Sequence, residues 1–112
     1  MAKVECDLYG DFDMILQDME DTILGGSFSA SMEDGSDFFV GNCRCAVRVY
    51  ERYSFFGGNR VSLNLTLLEA EGQVKLSAIT SGGSQAVFFK VNTLSEETFL
   101  DTVRSVIDDY QL

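Results

Sequence analysis

Residues 43 to 67 read CRCAVRVYERYSFFGGNRVSLNLTL, two runs that alternate in polarity on either side of Gly57-Gly58-Asn59. In the first run Cys43, Cys45, Val47, Val49, Tyr53 and Phe55 share one parity, and Arg44, Arg48, Tyr50 and Arg52 share the other. In the second, Val61, Leu63, Leu65 and Leu67 alternate with Arg60, Ser62, Asn64 and Thr66. A period of two marks strands with one dry side and one wet side. Both apolar sets are odd-numbered, so an antiparallel hairpin keeps them together only if an odd number of residues joins the strands. A three-residue Gly57-Gly58-Asn59 loop meets that condition, with Asn59 in the left-handed position such loops require. It sets Phe55 opposite Val61 and Val49 opposite Leu67. The arginines then stand on the wet face, and Glu51 is the one charge on the dry one.

The rest of the chain extends this sheet. Ala2, Val4, Cys6 and Leu8 alternate with Lys3, Glu5 and Asp7, a half-buried first strand. After Gly10, Asp11 is a candidate N-cap for a helix burying Phe12, Ile15, Leu16, Met19 and Ile23, which Gly25-Gly26 stops. A short strand follows with Phe28, Ala30 and Met32 inward, and residues 33 to 42 read as a loop. A two-residue Glu71-Gly72 turn leads to a strand turning Val74, Leu76 and Ala78 inward, and a sixth strand is expected at about 86 to 91. Thr93 and Glu96 form a candidate capping box, with Ser95 as a rival cap, for a closing helix burying Phe99, Leu100, Val103, Val106, Ile107 and Tyr110. The order β-α-β-β-β-β-β-α predicts one α+β domain over residues 1 to 112. Its expected form is a two-layer fold: a curved, six-stranded, mainly antiparallel sheet with two helices on one face, of helix-grip or TATA-binding-like type.

Composition narrows the function classes. The net charge of −10 disfavours nucleic acid and anionic membranes as partners. The absence of histidine removes the commonest general base and metal ligand. No run reaches the ~18 apolar residues of a membrane span, nothing at the start resembles a signal peptide, and three cysteines without framework spacing suit a reducing cytoplasm. The expectation is a cytoplasmic protein without cofactor, metal site or catalytic residues.

Three stretches carry a family resemblance: Gly-Gly-Ser-Phe-Ser-Ala-Ser-Met-Glu-Asp at 25 to 34, Cys-Arg-Cys-Ala-Val-Arg-Val-Tyr-Glu-Arg-Tyr at 43 to 53, and Ser-Ala-Ile-Thr-Ser-Gly-Gly-Ser-Gln-Ala-Val-Phe-Phe-Lys at 77 to 90. In these the chain resembles an uncharacterised family of small bacterial proteins from gut-dwelling Firmicutes, known as a domain of unknown function. The resemblance implies a small cytoplasmic domain and brings no activity, ligand or catalytic residue with it.

Candidate sites come from the residues themselves. Arg44, Arg48, Tyr50 and Arg52, with Arg60 on the next strand, form a basic face opposite two helices that hold ten of eighteen carboxylates. Arginine and tyrosine are enriched at interfaces, so this face is the first candidate docking surface, for another protein or for acidic elements of a second copy. The bland alternative is a solvated sheet face. Ser81, Gly82, Gly83 and Ser84 offer backbone N–H groups and hydroxyls for a small anion, although no P-loop lysine follows. Cys43 and Cys45 with Cys6 fit small buried hydrophobes better than a metal site. The favoured reading is a non-enzymatic binding or interaction module. The competing one is a small-ligand carrier or enzyme with a helix-grip cavity between sheet and helices.

Overall fold

The computed structural model describes residues 1–53, 59–82 and 89–111, with side chains in the last helix from Ser95 onward. The elements run β1 (Ala2–Leu8), α1 (Phe12–Gly25), β2 (Ser31–Val40), β3 (Cys43–Tyr53), β4 (Arg60–Ala70), β5 (Gln73–Gly82) and α2 (Phe89–Tyr110). Five strands form one sheet in the order β1-β5-β4-β3-β2, and every neighbouring pair is antiparallel. Both helices lie on one face.

The core follows the sequence periods. Val61, Leu63, Leu65 and Leu67 of β4 are fully buried beside Val74, Leu76 and Ala78 of β5. Phe12, Ile15, Met19 and Ile23 of α1 and Phe99, Leu100, Val103, Val106 and Ile107 of α2 close over them. Each such aliphatic or aromatic side chain contributes about 1.5–3 kcal/mol when removed from water. Asp11 caps α1 by accepting from the Met14 N–H at 3.0 Å, and the helix ends at Gly25. The last turn of α2 is tied to the end of β1 through Tyr9 N–H to the Tyr110 carbonyl, at 2.8 Å.

Three expectations need correction. First, Tyr53 pairs with Arg60, so six residues rather than three connect β3 to β4. An even connection inverts the parity: Tyr50 lies opposite Leu63, Arg48 opposite Leu65 and Arg52 opposite Val61, all on the helix side. Val49 faces Asn64 instead of Leu67. Second, residues 33 to 40 are strand, not loop; β2 pairs with β3 along its length, from Ser31↔Glu51 to Val40↔Cys43, with a bulge between Met32 and Asp34. As an edge strand whose residues from Met32 on are all exposed, β2 has no dry side to write into its sequence. Phe28, expected inward, is fully exposed ahead of it.

Third, residues 89 to 91, assigned to a sixth strand, open the 22-residue α2, and residues 83–88 lie outside the described residues. Thr93, Ser95 and Glu96 are therefore interior helix positions rather than caps. Five antiparallel strands and two helices establish the α+β class; the helix-grip or TATA-binding-like assignment goes beyond them.

The two-residue turn between β4 and β5 is as expected, joining the pair Ala70↔Gln73. Glu71 (φ 54°) and Gly72 (φ 77°) are both left-handed, the geometry of a type I′ hairpin. Glu71 pays a steric penalty there that Asn escapes. Glu71→Asn should raise stability by about 0.5–1 kcal/mol, read as a higher urea midpoint with an unchanged slope. A lower midpoint would contradict the turn geometry.

Candidate functional site

The inverted face of β3 gives each arginine a specific environment. Arg44 points at the first turn of α1 and holds Asp13 with two hydrogen bonds, Nη1 to Oδ2 at 3.2 Å and Nη2 to Oδ1 at 2.9 Å. Its guanidinium lies 4.0 Å from the centre of the Phe12 ring and 5.3 Å from that of Phe39. The bond to Asp13 holds its pKa above the ordinary arginine value. Arg48 lies flat across β2, donating to Asp37 at 3.1 Å and to the carbonyls of Val47 and Ser36 at 2.9 and 3.2 Å. Gly35 makes that possible, because a Cβ there would sit 3.0 Å from Arg48 Cδ.

Tyr50 is completely buried and its hydroxyl has no hydrogen-bond partner. Burial, reinforced by the Glu20 carboxylate and opposed by Arg48, pushes its pKa up to about 12. Arg52 lies over the buried Phe99 ring, 4.3 Å from its centre, and burial lowers its pKa. Arg44 and Arg52 thus each reach a helix, Arg48 reaches over β2 instead, and Tyr50 lies in the core between them.

The other predicted residues are elsewhere. Arg60 pairs with Tyr53 in register and so faces away from the helices, where it binds Glu51 at 2.6 Å and Glu33 at 3.2 Å. Its bond to Glu51 raises its pKa. Ser81 shares that outer face, and its carbonyl accepts from Ser62 Oγ at 3.2 Å. Gly82 closes the row Arg52–Val61–Gly82 on the helix side. Gly83 and Ser84 lie outside the described residues. By register, Cys6 faces the helices while Cys43 and Cys45 face outward, so the three thiols do not converge. Among the described residues there is no metal-ligand cluster, and no helix is long and apolar enough to cross a membrane.

Two features escaped sequence reasoning. One is a polar group inside the helix–sheet layer. Thr80 Oγ1 donates to the Glu96 carbonyl at 3.1 Å, Ser95 Oγ is buried without a partner, and the Met1 ammonium is ion-paired with Glu96 without hydrogen-bond geometry. The other is the outer sheet face. Its register rows are Phe38–Cys45–Leu68–Lys75–Asp7, Ser36–Val47–Thr66–Ser77–Glu5 and Asp34–Val49–Asn64–Ile79–Lys3. A depression of about 380 Å³ on this face is lined in part by Asp7, Thr66, Leu68 and Lys75. A second, at the end of α1, is lined by Leu24 to Ser27, Phe28 and Ala30.

Because the Tyr50 hydroxyl is buried and unpartnered, Tyr50→Phe should raise stability at neutral pH by about 1 kcal/mol. Burial raises the folded-state pKa from 10 to about 12 by penalising the phenolate, so stability is unaffected by this group below pH 10 and is lost as pH rises through 12. Denaturant titrations across this window should show stability falling, and falling less in Tyr50→Phe.

Among curated proteins and among solved structures nothing matches the chain. Residues 1–111, almost its full length, match a family of unknown function, DUF6054, and the chain belongs to that family.

Proposed function

We propose that this domain is a non-enzymatic interaction module that binds a second copy of itself through the face of its sheet that neither helix covers. The observation that carries the reading is the composition of that face. Phe38, Cys45 and Leu68 lie side by side across three strands, with Val47 and Val49 in the next rows and Ile79 beyond. Phe38 is 58% exposed and Leu68 38%.

Charge favours a second copy. With a net charge of −10, two copies repel over most of their surface. On the proposed face every described cation is already paired, Lys3 with Glu5, Lys75 with Asp7, and Arg60 with Glu51 and Glu33, while Asp34 on the edge strand has no ion pair. These pairs border a mixed face on which Phe38, Cys45, Leu68, Val47, Val49 and Ile79 are interleaved with Asn64, Thr66 and Ser77, a composition that matches a self-contact with polar and apolar parts. Five strands at a spacing of about 4.8 Å, and strand lengths near 25–35 Å, give a face of roughly 500–650 Å² in projection. That approaches the ~800 Å² per partner of a standard interface once side-chain relief is included.

The basic row of β3 does not serve this contact, since α1, β2 and α2 occupy it. An interface built on it would weaken as salt rises. One built on the apolar face should instead strengthen, because salt screens the repulsion between two acidic copies. Light scattering coupled to size exclusion, at about 100 μM protein and at low and high salt, should show a dimer fraction that grows with salt. Val49→Lys and Leu68→Lys should each return the protein to a monomer with little change in melting temperature. A monomer at every salt concentration would falsify the reading.

A further inference from the structure

Among the lysines and arginines whose side chains are described, Arg52 alone has no carboxylate within ion-pair distance. Lys3, Arg44, Arg48, Arg60, Lys75 and Arg104 each have at least one. In a chain with eighteen acidic residues this is a strong local exception. The segments meeting at this end of the sheet explain it: neither residues 52 to 68 nor residues 72 to 95 contain a single Asp or Glu. β3 ends here, β4 begins here, β5 ends here at Gly82, and β1 begins here at Ala2. The nearby Glu96 carboxylate is already balanced by the Met1 ammonium.

Arg52 is also preorganised. Its guanidinium is stacked on Phe99, which is fully buried, so the fork is held in one plane while part of its edge remains accessible. Ser95 lies one helical turn before Phe99, about 6 Å away along the same helix face. It is only 5% exposed, and its hydroxyl has no partner. A buried hydroxyl without a partner costs free energy that a bound acceptor recovers. The half-buried cation likewise gains from a bound anion, because burial disfavours its charge.

We infer that Arg52 and Ser95, at the end of the helix–sheet layer where β5 finishes at Gly82, bind the oxyanion group, carboxylate or phosphate, of a small molecule. The guanidinium fork supplies two parallel N–H donors and the Ser95 hydroxyl a third. The site is on the opposite side of the sheet from the proposed self-association face, so the two readings stand or fall separately.

The test is a titration of the full chain, followed by ¹H–¹⁵N NMR, with inorganic phosphate and separately with acetate. Saturable shifts confined to the amides of residues 50 to 52, Gly82 and residues 95 to 99 are expected with at least one probe. Which probe saturates at lower concentration separates a phosphate from a carboxylate ligand. Arg52→Gln should raise the apparent Kd more than tenfold, whereas Arg104→Gln, on the exposed side of α2, should leave it unchanged. Ser95→Ala should weaken binding severalfold and, should Arg52→Gln fail to fold, decides the matter on its own. Shifts absent up to 50 mM of both probes, or scattered over surface lysines, or undiminished in the folded variants, overturn the inference.

Discussion

The pairing of Tyr50 with Leu63 governs the rest of this structure. A strand with alternating side chains can turn either set toward the helices, and the connection to the next strand decides which. Here six residues between Tyr53 and Arg60 turn Arg44, Arg48, Tyr50 and Arg52 toward α1 and α2. Long side chains with polar ends then fill the space that aliphatic residues fill over β4 and β5. Their ends need partners, and α1 and β2 supply Asp13 and Asp37. Asp13 of the first helix and Asp37 of the edge strand, both solvent-exposed, thus pair with the basic strand at the border of the helix layer.

This division separates the sheet into two zones. Over β1, β5 and β4 the helices pack on Val, Leu and Ala, and the interior is dry apart from Thr80 and its neighbours. Over β3 the contact is made by guanidinium groups lying on Phe12 and Phe99, stacked rather than inserted. Arg–aromatic stacking keeps the charge near solvent while the stem and ring exclude water. The result is a helix layer anchored at one side by hydrophobic packing and at the other by charge-assisted contacts.

Much of the fold was legible because period and capping act locally. The burial of Leu63, Leu65 and Leu67, the Asp11 cap, the Gly25 stop and the Glu71-Gly72 turn were all readable from neighbouring residues. Face assignment was not, because parity depends on loop length, and the Gly57-Gly58-Asn59 cluster suggested a tighter turn than the register permits. β2 was illegible for another reason. Glu33, Asp34, Gly35 and Asp37 carry turn-like chemistry, and only their pairing with β3 makes them strand. Of the candidate site, the residue types were readable but their grouping was not. Arg60 and Ser81 fall on the face opposite to Arg44, Arg48, Tyr50 and Arg52, and Ser95, a rival cap by sequence, lies inside α2.

The acidic, bulged β2 has a consequence for how copies of this protein can add to one another. An open sheet has two rims, and a rim with unpaired N–H and C=O groups invites another strand to dock alongside. Along this rim Glu33, Asp34 and Asp37 would set acid beside acid in any second copy, and the bulge at Met32/Asp34 breaks the regular spacing a docking strand would have to match. Lateral growth from this rim is therefore opposed by both charge and geometry. The two-fold face contact proposed above would use itself up when it forms. Assembly by that route ends at a pair instead of running on into a fibre.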